Sequence, residues 1–210
     1  MAQKGKSGEE YGILLDLKLL ADVGIIGYPN VGKSTLLSVV SKATPKIADY
    51  PFTTTDPVLG VVELGYRSFV VAEIPGLIEG AHRGCGLGHD FLRHIERTKV
   101  LIHLLDGSAE HLLSDLHKTN KELMLFDPAL GDKPQLVAVN KIDLPSVRVR
   151  LPQLEIMLEE LKIPVYFISA ATGEGTYELM AKTAEMLEQG IPQAETGEPE
   201  FKVFRPKPIK

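Results

Sequence analysis

The sequence has little cysteine and no long apolar run, and both absences restrict where the protein can act. Cys85 is the single cysteine among 210 residues, so neither an internal disulfide nor a cysteine-rich zinc site can form, which favours a reducing compartment. No apolar stretch approaches the roughly 20 residues that span a bilayer. The opening MAQKGKSGEE lacks the apolar core of a signal peptide. These features predict a cytoplasmic protein with no membrane partner.

The sequence also lacks an excess of positive charge. Lys and Arg total 23 against 28 for Asp and Glu, which gives a formal net charge of −5. We therefore expect no intrinsic nucleic-acid footprint in this chain. Hydrophobic residues make up 44% and charged residues 24%, a balance typical of a globular domain.

Short apolar runs alternate with segments of helical period, a pattern typical of an α/β fold. The connection Gly65-Tyr66-Arg67 is too short for a crossover helix, so the strands on either side must be antiparallel. We predict a mostly parallel six-stranded sheet with one antiparallel edge strand and helices on both faces. The predicted strands are 23–27, 58–64, 68–74, 100–106, 136–140 and 165–169. The predicted helices are 33–42, 89–98, 111–125, 151–161 and 175–189.

The last predicted helix and the chain ends complete the domain hypothesis. Four residues of this helix recur at helical spacing and are expected to pack on the sheet: Tyr177, Met180, Ala184 and Leu187. Prolines after residue 190 prevent the helix from continuing. Residues 11–20 have the composition of a strand with no partner here. We expect one domain at 21–190, with 1–20 and 191–210 belonging to regions on either side of it.

A phosphate-binding loop is the strongest motif in the sequence. The segment GYPNVGKS follows an apolar strand and opens a helix, the context that a GxxxxGK[ST] match requires. Its backbone N–H groups can surround a phosphate, Lys33 should reach the β- and γ-phosphates, and Ser34 should coordinate Mg²⁺. The alternative is a glycine-rich turn before a helix. The candidate residues are Gly27, Tyr28, Pro29, Asn30, Val31, Gly32, Lys33, Ser34 and Thr35.

The segment Asn140-Lys141-Ile142-Asp143 ends a buried strand, where ligands of open α/β sheets bind. A carboxylate only accepts hydrogen bonds, and guanine offers it two donors, N1–H and the exocyclic amine, whereas adenine does not. Asp143 therefore favours GTP or GDP over ATP. Without the phosphate loop, the same segment could be a polar strand end followed by a turn.

Together the two motifs resemble those of the Ras-like GTPases. In that family Asn140 and Asp143 would read the base, and Lys141 would pack along it. Ser169-Ala170-Ala171 is similar to the family's last motif, whose backbone N–H contacts guanine O6. Further segments narrow the resemblance to the bacterial Obg family, also called CgtA, from about residue 8 to residue 189: LKLLADVG, YPFTT, IPGLIEGA, GLGH and FLRHIER.

This resemblance implies a Ras-like P-loop GTPase domain and a Mg²⁺-dependent switch that binds and hydrolyses GTP. It also implies a glycine-rich domain ending near residue 20 and a C-terminal domain beginning near residue 201. Family members act in assembly of the large ribosomal subunit and in stress signalling by guanosine tetraphosphate. The implied partner is therefore a ribosomal large-subunit precursor, contacted through the flanking domains.

The resemblance also assigns the residues around the γ-phosphate. Thr54 would ligate Mg²⁺ beside Ser34, although the threonine run could simply lead into the next strand. The family's DxPG motif is here Glu73-Ile74-Pro75-Gly76. The Asp of that motif holds a metal-bound water, and the longer Glu73 could do so only if the backbone or the water shifts, because Mg²⁺ tolerates little distortion. We expect Glu73 to remain an outer-sphere ligand. The expected catalytic residues are Lys33, Thr54 and Gly76. Phe52, Thr53, Ile74 and Pro75 complete the expected nucleotide-binding set.

Leu77 stands where many Ras-like enzymes carry the glutamine that orients the attacking water, and leucine has no hydrogen-bonding group. Hydrolysis is therefore expected to be slow. In related GTPases with an apolar residue at this position, an asparagine at the place of Asn30 helps to hold K⁺. The alternative role of Asn30 is capping of the loop. A second hypothesis is a sensor of GDP or guanosine tetraphosphate with negligible hydrolysis.

The histidines carry no predicted catalytic role. His103 lies within an apolar strand and is expected to be a hydrogen-bonded core residue. His111 and His117 lie on a predicted helix and are expected to be solvated.

Overall fold

A computed structural model of the protein describes residues 21–47, 57–74, 95, 98–159, 161 and 163–189. Seven strands and five helices are found in this part of the chain. The strands are β1 (Val23–Ile26), β2 (Lys46–Ile47), β3 (Val58–Leu64), β4 (Arg67–Glu73), β5 (Val100–Asp106), β6 (Gln135–Asn140) and β7 (Val165–Phe167). The helices are α1 (Lys33–Val40), α2 (Leu112–Phe126), α3 (Pro128–Gly131), α4 (Pro145–Glu159) and α5 (Thr176–Gln189).

The strands form one sheet in the order β2-β3-β4-β1-β5-β6-β7. Five adjacent strands are parallel to one another, in the order β4, β1, β5, β6 and β7. β3 pairs antiparallel with β4, as the short turn between them requires, and β2 pairs antiparallel with β3. The carboxyl ends of the five parallel strands therefore lie along one edge of the sheet.

Alternation along the central strands divides the core between the two faces of the sheet. Ile102 and Leu104 of β5 join one apolar cluster, whereas Leu101 and Leu105 belong to the clusters of the other face. The first cluster includes buried residues of α1 and α5. The other two include buried residues of α2, α3 and α4. Burial of both faces is the reason why these strands are almost wholly apolar.

The predicted α/β class with a mostly parallel sheet is confirmed, but the count of six strands is wrong. The sheet has a seventh strand, β2, so the antiparallel β3 is not at the edge. β2 has only two residues, both exposed, and therefore carries no apolar alternation from which it could be predicted.

Two helix predictions also differ from the structure. α4 begins at Pro145 rather than at 151, because proline is well suited to the first turn of a helix. Tyr177 does not pack on the sheet and is 68% exposed, whereas Met180, Ala184 and Leu187 are buried as expected. The short α3 was not predicted, and the Asp127 side chain caps it by accepting a hydrogen bond from Ala129 N at 2.9 Å.

The predicted helix 89–98 falls largely outside the described residues, as do the flanking regions 1–20 and 191–210. Within the described part of the chain, no helix is both long enough and apolar enough to cross a membrane.

Candidate functional site

Four predicted motifs meet at the carboxyl edge of the parallel strands. The phosphate loop follows β1, and Glu73 is the last residue of β4, directly before Ile74. The segment 140–143 begins at the last residue of β6, and the segment 169–171 follows β7. These strands lie side by side in the sheet order, with β5 between β1 and β6. The sheet topology thus brings together groups that are far apart in sequence, at the place where open α/β sheets bind ligands.

The phosphate loop requires glycine at two positions. Gly27 has φ +146° and Gly32 has φ +101°, both in the region that favours glycine. A Cβ on Gly27 would lie 2.3 Å from the Leu104 carbonyl oxygen, and a Cβ on Gly32 would lie 2.3 Å from Asn140 Nδ2. The loop can therefore pack against β5 and β6 only because these residues have no side chain.

The first turn of α1 directs uncapped backbone N–H groups toward the loop. Gly32 has no side chain with which to cap the helix, and the first turn carries no acidic residue. An anion is stabilised at such a helix start by the free N–H groups and by the helix dipole. Ser34 and Thr35 are exposed on this turn, whereas Val31, which is part of the loop, is buried.

The Lys33 ammonium lies inside the phosphate loop. Its Nζ donates to the carbonyl oxygens of Gly27 and Tyr28, each at 3.0 Å, and the residue is only 6% exposed. Burial lowers the pKa of Lys33, and the negative charge of Glu73 partly opposes this shift. A phosphate entering the loop would give the ammonium an anionic partner in place of two neutral carbonyls.

Ser34 and Glu73 form the part of the site that could hold a metal. Ser34 Oγ donates a hydrogen bond to Glu73 Oε1 at 2.8 Å, although the residues are 39 positions apart. Hydroxyl and carboxylate oxygens are the ligands that Mg²⁺ prefers, so the residue types present fit this ion. The hydrogen bond places the Glu73 carboxylate beside the Ser34 hydroxyl. The described residues hold no group of three or more His, Cys, Asp or Glu side chains that could bind a metal by themselves.

Asn140 joins the phosphate loop to the loop that follows β7. Its Nδ2 donates to the Val31 carbonyl at 2.8 Å, and its Oδ1 accepts from Ala170 N at 2.8 Å. The residue is buried, so both hydrogen bonds are shielded from water. Sequence reasoning assigned Asn140 to the base alone and missed this bridging contact.

Ser169 holds Asp143 in place. Ser169 Oγ donates to Asp143 Oδ1 at 2.7 Å and accepts from Thr172 N at 3.1 Å. Ser169 is fully buried, whereas Asp143 is half-buried. One carboxylate oxygen is thus oriented from within the protein. Ala170 is buried beside them and Ala171 is exposed.

Asp106 is a site residue that sequence reasoning missed. It ends β5, lies opposite Asn140 in the register of β5 and β6, and pairs with the ammonium of Lys141. Burial alone would raise the pKa of the Asp106 carboxyl, but hydrogen bonds from Lys141 and Ser108 outweigh it and lower that pKa. An acid at the end of a buried strand and followed by Gly107 was the available signal, because it marks the same sheet edge as the motifs.

The remaining predicted site residues lie outside the described residues: Phe52, Thr53, Thr54, Pro75 and Gly76. Leu77 and Cys85 lie outside them as well. Asn30 is exposed on the phosphate loop with φ +63°, and Pro29 is exposed beside it. Tyr28 is half-buried, and Ile74 is fully buried.

Among the histidines, His111 and His117 are exposed as predicted, and His103 is fully buried. Neither ring nitrogen of His103 has a partner that meets hydrogen-bond geometry within the described residues. Burial lowers the pKa of His103 to about 3, against a smaller opposing effect of the nearby Asn120 side chain. His103 is therefore a neutral core residue, but the hydrogen bonds expected of it are missing from this part of the chain.

Sequence comparisons show which known proteins this chain is similar to. The family described as 50S ribosome-binding GTPase matches residues 22–141. The GTPase Obg of Dehalococcoides mccartyi is 54% identical over 211 residues, covering 99% of this chain and 50% of that protein. The GTPase Obg of Symbiobacterium thermophilum is 53% identical over 209 residues, covering 98% of this chain and 49% of that protein. The chain spans about half the length of these curated relatives.

Solved structures give a more distant likeness. The G domain of the T. maritima FeoB iron transporter superposes with a TM-score of 0.59 at 23% identity, covering 78% of this chain and 96% of that one. The cytosolic domain of L. pneumophila FeoB superposes with a TM-score of 0.60 at 22% identity, covering 80% of this chain and 63% of that one. At such identities the likeness shows the fold alone. The expected Ras-like P-loop fold is thereby confirmed, with seven strands instead of six.

Proposed function

The chain belongs to the Obg family of GTPases, and from this membership we propose that it binds GTP and GDP with Mg²⁺ and hydrolyses GTP as a molecular switch. The observation that carries the proposal is the arrangement of two recognition sites at one sheet edge. One is the glycine loop around Lys33, which suits phosphate. The other is Asp143, oriented by Ser169, which suits the two donors of guanine.

We propose that different residues of this sheet edge bind the phosphates, the metal ion and the base. The phosphate loop and the start of α1 would bind the phosphates, and Lys33 would neutralise charge on the β- and γ-phosphates. Ser34 would ligate Mg²⁺, and Glu73 would remain behind it as an outer-sphere group. Mg²⁺, when bound, supplies charge that stabilises the transferring phosphoryl group. Asn140, Lys141, Asp143 and the segment 169–171 would contact the base.

Thr54 and Gly76 complete the proposed site by family resemblance. Thr54 would be a second protein ligand of Mg²⁺ and would sense the γ-phosphate through its backbone. Gly76 is a proposed catalytic residue. Phe52, Thr53, Ile74 and Pro75 are proposed neighbours of the nucleotide. All of these except Ile74 lie outside the described residues.

Base selection by Asp143 is tested with a single substitution. Asp143→Asn replaces one acceptor oxygen of the carboxylate by an NH₂ donor, which cannot accept from the guanine amine, so we expect the affinity for GDP to fall by at least about tenfold. The affinity for xanthosine diphosphate should rise, because a carbonyl of xanthine replaces that amine. Calorimetric titration with both nucleotides measures the exchange of preference.

The matched control is Asp132→Asn, which makes the same chemical change at an exposed residue that follows α3. This variant should keep the GDP preference of the unsubstituted chain. An Asp143→Asn variant that also keeps it would exclude base reading by Asp143. Absence of binding to any guanosine nucleotide would exclude the proposed function as a whole.

A monovalent cation is proposed as an aid to hydrolysis. Leu77 cannot orient the attacking water, and the exposed Asn30 stands on the phosphate loop where its oxygen could ligate K⁺. We expect single-turnover GTP hydrolysis to be slow and faster in KCl than in NaCl of equal ionic strength. Asn30→Ala should remove the difference between the salts. Equal rates for the unsubstituted chain in both salts would refute this role.

The proposed partner is a precursor of the large ribosomal subunit. The matching family carries 50S ribosome binding in its description, which supports this partner. The net charge of −5 supports contact through other regions of the full-length protein rather than through a basic surface of this chain. Cosedimentation of the full-length protein with 50S subunits, compared between a GTP analogue and GDP, tests it. Such a partner would place the protein in the cytoplasm.

A sensor of GDP or guanosine tetraphosphate is the second candidate, favoured by the apolar Leu77. A sensor releases nucleotide many times for each GTP that it cleaves. Comparison of the single-turnover hydrolysis rate with the nucleotide release rate therefore separates the two functions.

A further inference from the structure

Asp106 has no role in the site as proposed so far, yet its carboxylate pairs with Lys141, a residue of that site. One carboxylate oxygen, Oδ2, pairs with Lys141 Nζ. The other, Oδ1, accepts from Ser108 N at 2.9 Å and from Ser108 Oγ at 2.6 Å. Hydrogen bonds from Ser108 therefore fix one oxygen of the carboxylate, and the other oxygen pairs with Lys141.

The backbone around this ion pair is also fixed. Lys141 has φ +71°, a left-handed conformation that costs a lysine free energy and persists only where neighbouring contacts hold it. Gly107 N donates to the Asn140 carbonyl at 2.9 Å, and Leu144 N donates to the Lys141 carbonyl at 3.1 Å. The end of β5 and the loop after β6 thus form one connected unit.

The ion pair constrains both ends of the Lys141 side chain. The Cα is set by the left-handed loop, and Nζ is held at Asp106, with side-chain exposures of 31% for Lys141 and 23% for Asp106. Partial burial makes the pairing less screened than a surface ion pair. The four methylenes between these two points are then the part of Lys141 that remains available to an aromatic ring.

We propose that Asp106 is a positioning residue of the guanine site, which acts by holding the ammonium of Lys141 at the end of β5. The aliphatic part of Lys141 is thereby kept ready to pack along the base. This inference rests on the proposed function, because it deepens how the segment 140–143 recognises guanine. Asp106 itself does not touch the nucleotide.

A double-mutant cycle on GDP affinity tests the inference, with Asp106→Asn, Lys141→Met and the combined variant. Asp106→Asn keeps the shape of the side chain and removes its charge, so we expect GDP affinity to fall by about tenfold with Lys141 present. In the Lys141→Met background the same substitution should change GDP affinity by less than about twofold. The measurements are calorimetric affinity and the dissociation rate of GDP.

The matched control is Asp22→Asn, because Asp22 directly precedes β1 and lies at the amino ends of the parallel strands, away from the candidate site. Asp22 also forms an ion pair with a lysine, because its Oδ1 pairs with Lys99 Nζ at 2.9 Å. Its other oxygen, Oδ2, accepts a hydrogen bond from Val70 N at 3.0 Å. The control therefore loses the same charge and a similar ion pair, and it should leave GDP affinity unchanged. Ser108→Ala is a milder variant for the case in which Asp106→Asn does not fold, with an expected loss of about two- to threefold that vanishes in the Lys141→Met background.

The outcomes separate the two levels of the hypothesis. Equal losses of GDP affinity with and without Lys141 would indicate a merely structural role and overturn the inference, as would an unchanged affinity in Asp106→Asn. Both results leave the proposed function standing if the unsubstituted chain binds GDP. An unsubstituted chain that binds no GDP overturns the proposed function and this inference together.

Discussion

At the scale of single residues, Gly32 and Asn140 are fitted to each other. A Cβ on Gly32 would lie 2.3 Å from Asn140 Nδ2, the same atom that donates to the Val31 carbonyl. The protein's own packing therefore requires a glycine at position 32. The loop proposed to hold phosphate and the loop proposed to read the base are in direct contact through one buried amide.

Ser169 gives the clearest prediction at this scale. Ser169→Ala removes the hydrogen bond that orients Asp143 and leaves Thr172 N without its acceptor. We expect GDP affinity to fall by about five- to tenfold, and the free energy of unfolding to fall by about 1–2 kcal/mol. Calorimetric titration with GDP and chemical denaturation measure the two effects.

Ser68→Ala is the control for this prediction, because Ser68 is exposed near the amino end of β4, away from the carboxyl edge. It should change neither quantity appreciably. If Ser169→Ala bound GDP as tightly as the unsubstituted chain, orientation of Asp143 by Ser169 would be irrelevant to binding.

At the scale of elements, α4 shows how tertiary contacts override a local breaker. Pro152 lies inside this helix, where proline removes a backbone hydrogen bond and crowds the preceding turn. The helix nevertheless continues from Pro145 to Glu159. Burial of Val147 before the proline, and of Leu154 and Leu158 after it, anchors both halves to the same face of the sheet.

The proline makes α4 a site where stability can be gained. Pro152→Ala restores a helical hydrogen bond at an exposed position, although it also frees the unfolded chain. We expect a net rise of about 1–2 kcal/mol in the free energy of unfolding, measured by chemical denaturation, with no change in GDP affinity. Gln153→Ala, at the exposed neighbouring position, should change stability by only a few tenths of a kcal/mol. A loss of stability in Pro152→Ala would show that α4 needs the proline.

At the scale of the whole molecule, the two-faced core places a titratable group deep in the fold. His103 lies on β5 between Ile102 and Leu104, which both belong to one apolar cluster, and burial lowers the pKa of His103 to about 3. The unfolded chain has an ordinary histidine with a pKa near 6.5. In mild acid the unfolded chain binds a proton at His103 and the folded chain does not. The free energy of unfolding that depends on this neutral histidine is therefore fully present above pH 6.5 and is lost as the pH falls toward 3.

This linkage predicts the slope of stability against pH. Between pH 7 and pH 5 the free energy of unfolding should fall by about 2 kcal/mol because of His103 alone. The His103→Leu variant should lose this part of the slope in chemical denaturation at a series of pH values. His117→Gln, which replaces an exposed histidine of α2, should retain it. An unchanged slope in His103→Leu would show that His103 does not control acid sensitivity.

The sequence by itself determined the class of the fold and the identity of its motifs. Alternating apolar strands and helical segments indicate a parallel sheet because burial of both faces requires that pattern. Gly27, Gly32 and Lys33 are recognisable because a phosphate loop needs its backbone geometry and its charge within a few neighbouring residues. Features that depend only on residues close together in the chain can therefore be predicted from the sequence.

Only the tertiary structure decided how the motifs act on one another. The two-residue β2 exists because β3 offers it a pairing edge. Asn140 reaches Val31 across 109 positions, and Lys141 reaches Asp106 across 35. These contacts depend on the order of β1, β5 and β6 in the sheet. Strand order is set by packing of the entire chain, and no local pattern of residues encodes it.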